Sequence, residues 1–245
     1  LIGGWVPYFL TQKETGETSH QGSLDIDLAL NPQSIPADAY DSILDILHQR
    51  GYMPRRNSKG EEVPASYVRT FIDENNHTHT IQVDLMSPEY GGTDPAHRHP
   101  RVQDIIARKG RGVDLAFTSP VEKRLEGRLP SKAKNAVTLH IANLVACFTM
   151  KAITFHSRGK EKDAYDLYML IKEYSPGIES VIAELRKSKE NKLVKEALDA
   201  AADSFQSIDS MGPIAVADFK ELLHGNDRDV VIRDAYEVMN YVLDH

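Results

Sequence analysis

The sequence predicts an α/β (α+β) chain, a mixed β-sheet domain over residues 1–119 followed by an α-helical domain over residues 120–245. Three observations predict it. Residues 24–30 alternate strictly, with Leu24, Ile26, Leu28 and Leu30 on one side and Asp25 and Asp27 on the other, which is the period of a strand. Up to Ser119 short strand-like runs alternate with loops and one clear helix. After Pro120 the chain reads as almost continuous helix, with breaks at Pro176, Gly177, Gly212, Pro213 and Gly225.

Taken in order, the chain opens at Leu1 in what reads as the end of an apolar strand, so further residues are expected upstream. Gly3 and Gly4 punctuate this start and lead into an apolar run, 5–10, and then a polar loop, 11–21. Residues 36–50 read as a helix, with Ala39, Ile43, Ile46 and Leu47 at helical spacing. Residues 67–72 and 80–86 read as two strands, and Asp73-Glu74-Asn75-Asn76 between them is turn chemistry, so an antiparallel hairpin is predicted. Helices are predicted over 131–156, 161–174, 177–190, 192–206, 216–224 and 227–243.

The chain has 245 residues, 41% of them apolar, enough for a well-buried core. Its formal charge of -7 excludes a generally basic surface, so a polyanionic partner must use a local patch. Residues 98–134 supply one: ten Lys or Arg (98, 101, 108, 109, 111, 123, 124, 128, 132, 134) against four acids (104, 114, 122, 126), a local charge of +6. Within it Arg108-Lys109-Gly110-Arg111-Gly112 reads as an exposed turn. The single cysteine, Cys147, excludes an internal disulfide, reads as a buried structural thiol, and fits a reducing, cytoplasmic setting. No apolar run approaches the roughly 20 residues needed to span a bilayer.

The chemistry concentrates in Gly22-Ser23-Leu24-Asp25-Ile26-Asp27-Leu28. Two aspartates two apart in a strand share a face, about 7 Å apart at Cα. Aspartate is a poor strand former, and a merely solvated face more often carries Thr, Lys or Glu. Asp84 repeats the pattern inside Ile81-Gln82-Val83-Asp84-Leu85-Met86. If the two strands are neighbours, three carboxylates gather on one open face, where they repel unless a cation neutralises them. Magnesium suits hard oxygen ligands shared with substrate phosphates, and a two-metal arrangement clamps both ends of an in-line phosphoryl displacement. Gly22 permits close backbone approach to a phosphate, and the Ser23 hydroxyl can donate to one.

These residues resemble the DNA polymerase β-type nucleotidyltransferase superfamily, which carries Gly-Gly or Gly-Ser, two acids separated by one apolar residue, and a third acid on a later strand. The second half narrows the resemblance. Lys151, Arg158 and the block Lys162-Asp163-Ala164-Tyr165-Asp166-Leu167 are similar to the AbiEii-type branch, the nucleotidyltransferase-like toxins of toxin–antitoxin and phage-defence systems. The resemblance spans roughly residues 1–172. It implies that Asp25, Asp27 and Asp84 are the metal ligands, holding two Mg2+ ions (Mn2+ as a substitute). It also implies that Lys151 contacts phosphate and Asp166 is a distal acid, with Asp163 and Arg158 in support, the helical domain thus bringing Lys and Asp to the cleft. Gly4, Gly22, Ser23, Lys151 and Arg158 are the implied nucleotide contacts. Both Gly3-Gly4 and Gly22-Ser23 can claim the phosphate-loop role, and His20 stands near where that branch carries an arginine.

Read without the resemblance, Asp163 and Asp166 are three apart and share a helical face. A hairpin across 156–162 would bring Lys151 to Asp166, while for Asp163 pairing with Arg158, Lys160 or Lys162 is the favoured reading. The His77/His79 and His97/His99 pairs lack accompanying cysteines and are set aside as zinc ligands. Tyr8, Tyr40 and Tyr52 read as core or surface aromatics. Residues 175–245 read as scaffold or a partner surface.

The expected activity is transfer of a nucleoside monophosphate from ATP, GTP or another nucleoside triphosphate to an acceptor hydroxyl. The resemblance implies RNA (tRNA among the candidates, through 98–134) or protein as acceptor, and an antitoxin as partner. Two alternatives stand beside it: an enzyme acting on a small acceptor, similar to aminoglycoside-modifying nucleotidyltransferases, and a nucleotide- or RNA-binding module of the same fold without turnover. The basic stretch argues against the first and the intact acid triad against the second.

Overall fold

A computed structural model describes residues 1–31, 43–73, 75–89, 101–102, 105–129, 132–221 and 225–245. The architecture is a mixed sheet and a set of helices, in two compact units. One comprises Leu1–Gly3 with Ser23–Ala142, the other Gly4–Gly22 with Asn143–His245.

In the first unit β1 (Asp25–Ala29), β2 (Met53–Arg56), β3 (Glu62–Ile72) and β4 (Thr78–Pro88) form a sheet in the order β1-β4-β3-β2. Helix α2 (Ile43–Gln49) precedes β2. The expected 67–72 and 80–86 hairpin is present and longer at both ends. Its turn is built by Asp73, whose Oδ1 accepts the Asn75 and His77 amides at 2.9 and 2.8 Å. Strand β1 runs parallel to β4. The apolar alternation does its expected work: Ile26, Leu28 and Leu30 pack with Ile43, Leu44, Leu47 and Tyr52 on a core of Ala65, Tyr67, Val83 and Leu85. Fully burying a side chain such as Val83 or Leu85 contributes about 1.5–3 kcal/mol.

Several sequence expectations are corrected. Leu24 precedes β1 and is 97% exposed, so it leaves the apolar row. The apolar run 5–10, for which the sequence specifies no element, is a helix, α1 (Trp5–Leu10), with Trp5 against Tyr8 and Tyr8 against Phe9 packed edge to face. Arg108–Gly110 is not part of an exposed turn: it forms β7, parallel to the end of β4, after the short pair β5 (Arg101–Val102) and β6 (Ile105–Ile106). Gly112 then turns with φ 81° into a 3-10 segment, Val113–Phe117. The first part of the predicted 36–50 helix lies outside the described residues, as do Tyr40, His97 and His99.

The largest correction concerns 121–141. Instead of loop and helix this is a hairpin, β8 (Val121–Arg128) with β9 (Lys134–Ile141). Val137, Leu139 and Ile141 alternate with polar residues at period two, as strands require. They merge by eye with the apolar helix that follows. Asn143 separates the two, capping α3 by accepting the Ala146 amide at 2.9 Å.

The second unit holds α1 and α3 (Leu144–Arg158), α4 (Glu161–Lys172), α5 (Ile178–Ser188), α6 (Lys192–Ser204), α7 (Met211–Phe219) and α8 (Asn226–Asp244). The predicted helices 161–174, 177–190, 192–206 and 227–243 are all present within two residues or so. The one expected at 216–224 starts earlier, because Pro213 lies in the first turn, where its missing N–H costs nothing. Gly212 is needed there: a Cβ would meet the Phe205 ring at 2.5 Å. No described helix is long and apolar enough to cross a membrane.

Candidate active site

In the sheet unit the parallel register sets Asp27 beside Asp84 and Asp25 beside Gln82. The strand period then puts Asp25 on the same face as Asp27, away from the apolar core. One carboxylate oxygen from each of Asp25, Asp27 and Asp84 lies within 4.8 Å of the others, and all three residues are partly buried. Among the described residues this is the one group with metal-holding geometry. His77 and His79 instead flank Asp73, with His79 Nε2 at 2.8 Å.

The supporting shell is specific. Ser23 donates its hydroxyl to Asp25 Oδ1 at 2.5 Å. Asp84 Oδ1 accepts from the Ser66 hydroxyl at 2.5 Å, and Gln82 Nε2 donates to both Asp84 oxygens at 3.1 and 3.0 Å. Ser66 is itself fixed by Arg55 Nε at 2.8 Å. Ser66 follows Ala65, which has φ 61°, beside a register shift between Pro54 and Arg56, an irregularity of the kind that re-aims a side chain. Gly3 closes another side. Ile2 bridges to Asp27 by its amide at 2.9 Å, and a Cβ on Gly3 would stand 1.9 Å from Asp27 Oδ2. Ser66, Gln82 and Gly3 are thus site residues that motif reasoning did not single out; only Gly3 carried a signal, as half of Gly3-Gly4.

Three carboxylates so close repel in the absence of a cation, and their all-oxygen donor set suits Mg2+ or Mn2+ rather than a thiophilic metal. The glycine at position 3 leaves the Asp27 carboxylate open space that any side chain would fill. The residues therefore fit a divalent cation.

The helical unit holds a second polar cluster, built on the α3–α4 turn at Gly159 (φ 64°). Lys151 Nζ reaches Asp166 Oδ2 at 2.6 Å and Asp163 Oδ1 at 2.8 Å. Arg158 donates through Nε and Nη2 to Asp163 Oδ2 at 2.9 and 2.7 Å, and Lys162 reaches Asp166 Oδ1 at 3.0 Å. Lys151 is thus brought to Asp166 as the hairpin geometry predicts, and Asp163 is held between two cations. His20 joins from the segment after α1, its Nε2 2.9 Å from Asp166 Oδ1. Asp166 and His20 have no exposed side-chain surface.

Burial alone would push the Asp166 carboxyl up, but Lys151, His20 and Lys162 together hold it down at about 2. Burial would likewise lower Lys151, and the two carboxylates raise it above the ordinary lysine value instead. Burial drives the Cys147 thiol up to about 12, an inert structural group as expected. Of the remaining expected contacts, Gly4 is the buried residue capping α1. Gly22 adopts φ 78° with its amide donated to His20 Nδ1 at 2.9 Å.

With this geometry in hand, comparison with known families is decisive: the family model described as nucleotidyl transferase AbiEii toxin, type IV TA system, matches residues 22–229. The chain belongs to the AbiEii family. No curated protein and no solved structure matches it. It is accordingly a nucleotidyltransferase of a toxin family of toxin–antitoxin systems. The AbiEii match takes in the acid triad, Ser66, Gln82 and the Lys151–Asp166 cluster, and begins just after His20.

Proposed function

We propose that the chain transfers a nucleoside monophosphate from a nucleoside triphosphate to an acceptor hydroxyl on RNA, with two Mg2+ ions held by Asp25, Asp27 and Asp84. The observation that carries this reading is the convergence of three carboxylates on one partly buried patch of sheet. Bound there, divalent ions offset triphosphate charge and favour in-line displacement. The acceptor oxygen bonds to the α-phosphorus, the bond to the β-bridging oxygen breaks, and pyrophosphate leaves. The acceptor proton passes to Asp84 Oδ2, the oxygen that accepts from Gln82 but not from Ser66.

Lys151 supports the leaving phosphates. Its ammonium has three donors, and two are spent on Asp163 and Asp166. Arg158 adds charge, Asp166 orients Lys151, and Gly4, Gly22 and Ser23 shape the phosphate-binding backbone. Catalysis of this type is mainly positioning and electrostatics. The catalytic domain in this reading is the sheet domain.

For the acceptor, the basic stretch supports RNA. The β8–β9 hairpin carries exposed Arg124, Arg128, Lys132 and Lys134, with Arg128 directly opposite Lys134. Like charges facing each other across strands destabilise one another, and a phosphate backbone relieves this. Nucleoside triphosphates and RNA place the reaction in the cytoplasm, with an antitoxin as the counterpart the family implies.

The test is incubation with labelled ATP, GTP, CTP and UTP, magnesium and total RNA, with Asp27→Ala as control. Label entering RNA and lost in the variant supports the proposal. Label entering only a small acceptor moves the chain to the small-molecule class, and nucleotide binding without transfer makes it a binding module.

A further inference from the structure

We propose that His20 is a positioning residue for transfer, tying the loop that leads into β1 to the ion-pair cluster of α3 and α4; this rests on the nucleotidyltransferase reading above. The imidazole is wholly buried and both its nitrogens are used. Gly22 donates its amide to Nδ1 at 2.9 Å, so Nδ1 carries the lone pair and the ring hydrogen is on Nε2. Nε2 then donates to Asp166 Oδ1, also at 2.9 Å.

The rest of the segment is held in the same way. The His20 amide donates to Thr18 Oγ1 at 3.1 Å. Tyr165, whose ring lies 5.3 Å from the imidazole, accepts the Gln21 amide at 3.3 Å and donates to the Ser19 carbonyl at 3.4 Å. A hydrophobic residue of this size would fill the space but satisfy neither the Gly22 amide nor Asp166, and an unmade buried bond of this kind is expensive.

The consequence reaches the acids through the chain itself. Gly22 turns at φ 78°, the next residue is Ser23, and Ser23 donates to Asp25. On its other side His20 is a neutral donor to Asp166, adding direction where Lys151 and Lys162 add charge. One ring therefore holds both the Gly22 amide, one residue before Ser23 in the chain, and the carboxylate that orients Lys151.

Two substitutions divide the tie. His20→Asn keeps a short acceptor for the amide two residues on, as in an Asx turn, and loses Asp166. His20→Gln reaches Asp166 and leaves the Gly22 amide unpaired. With the full-length chain, His20→Asn should raise the KM for nucleotide about 10-fold at nearly constant kcat, and His20→Gln should lower kcat about 10-fold at nearly constant KM. Independently, the imidazole nitrogen NMR signals of the wild-type chain should show Nε2 protonated and Nδ1 accepting. The proposal is overturned if both folded variants keep wild-type kcat and KM, or if Nδ1 bears the hydrogen. A wild-type chain with no transfer activity at all would sink the reading of the site, while the nitrogen signals would still decide whether the tie exists.

Discussion

Asp27 on β1 stands directly beside Asp84 on β4, in parallel register, with Ser66 on the next strand opposite Asp84. Two acids that are neighbours in space but 57 positions apart in sequence share one charge problem. Removing one changes catalysis and stability in opposite senses. Asp84→Asn should lower transfer by about 1,000-fold or more while raising the melting temperature in magnesium-free buffer by a few degrees. The wild-type chain should gain stability on adding Mg2+, by mass action, and the variant should gain little. Thermal melts with and without Mg2+ check both statements.

Gly3 gives a second test of the same patch. Its φ is 75° and a Cβ there would stand 1.9 Å from Asp27 Oδ2. Gly3→Ala should cost about 1–3 kcal/mol in urea unfolding and displace the Asp27 carboxylate, so activity falls further than stability alone explains.

Ser66 is the donor that orients Asp84 and the acceptor that holds Arg55. Ser66→Ala should reduce kcat or magnesium affinity about 10–100-fold, with a stability cost of about 1 kcal/mol, seen in initial rates measured across a magnesium series.

The acid triad is readable in the sequence because a strand with period two announces which residues share a face, and apolar flanks announce which face is buried. The Lys151–Asp166 approach is readable for the same kind of reason, from helical spacing and a short turn. Ser66, Gln82 and His20 are not, because their roles depend on approaches that no local period encodes: His20 meets Asp166 across 146 residues of chain. The β8–β9 hairpin is hidden differently. Its strand alternation runs without a compositional break into the apolar α3, and only the Asn143 cap marks the seam.

The buried carboxylate of Asp166 makes stability depend on pH in a defined window. Its carboxyl titrates near 2 in the folded chain against an ordinary value of 3.8. The ionised form therefore contributes about 2 kcal/mol above pH 4, and that contribution is lost as pH falls through the folded value. Lys151 behaves oppositely, contributing below the ordinary lysine value and losing its contribution as pH rises past its own higher one. Asp166→Asn should flatten the acid limb between about pH 4 and 2 in urea titrations, and should cost about 3–5 kcal/mol near neutrality because Lys151 and Lys162 lose a partner.

The hairpin makes the RNA proposal quantitative. Arg128→Glu and Lys134→Glu should each weaken RNA labelling and reduce the slope of log affinity against log salt by about one, leaving nucleotide binding as it was. Filter binding over a salt series measures it.

The course of the backbone carries a last implication. Residues 4–22 belong with the helices while the residues on either side of them belong with the sheet. No single cut in the gene therefore yields two intact halves: a fragment beginning at Asn143 would lack the Leu10 carbonyl that accepts the Ser175 amide, and the imidazole that meets Asp166. Attempts to split this enzyme into complementing pieces, or to graft its helices onto another catalytic sheet, should carry the first 22 residues with the helices and rejoin the chain by circular permutation.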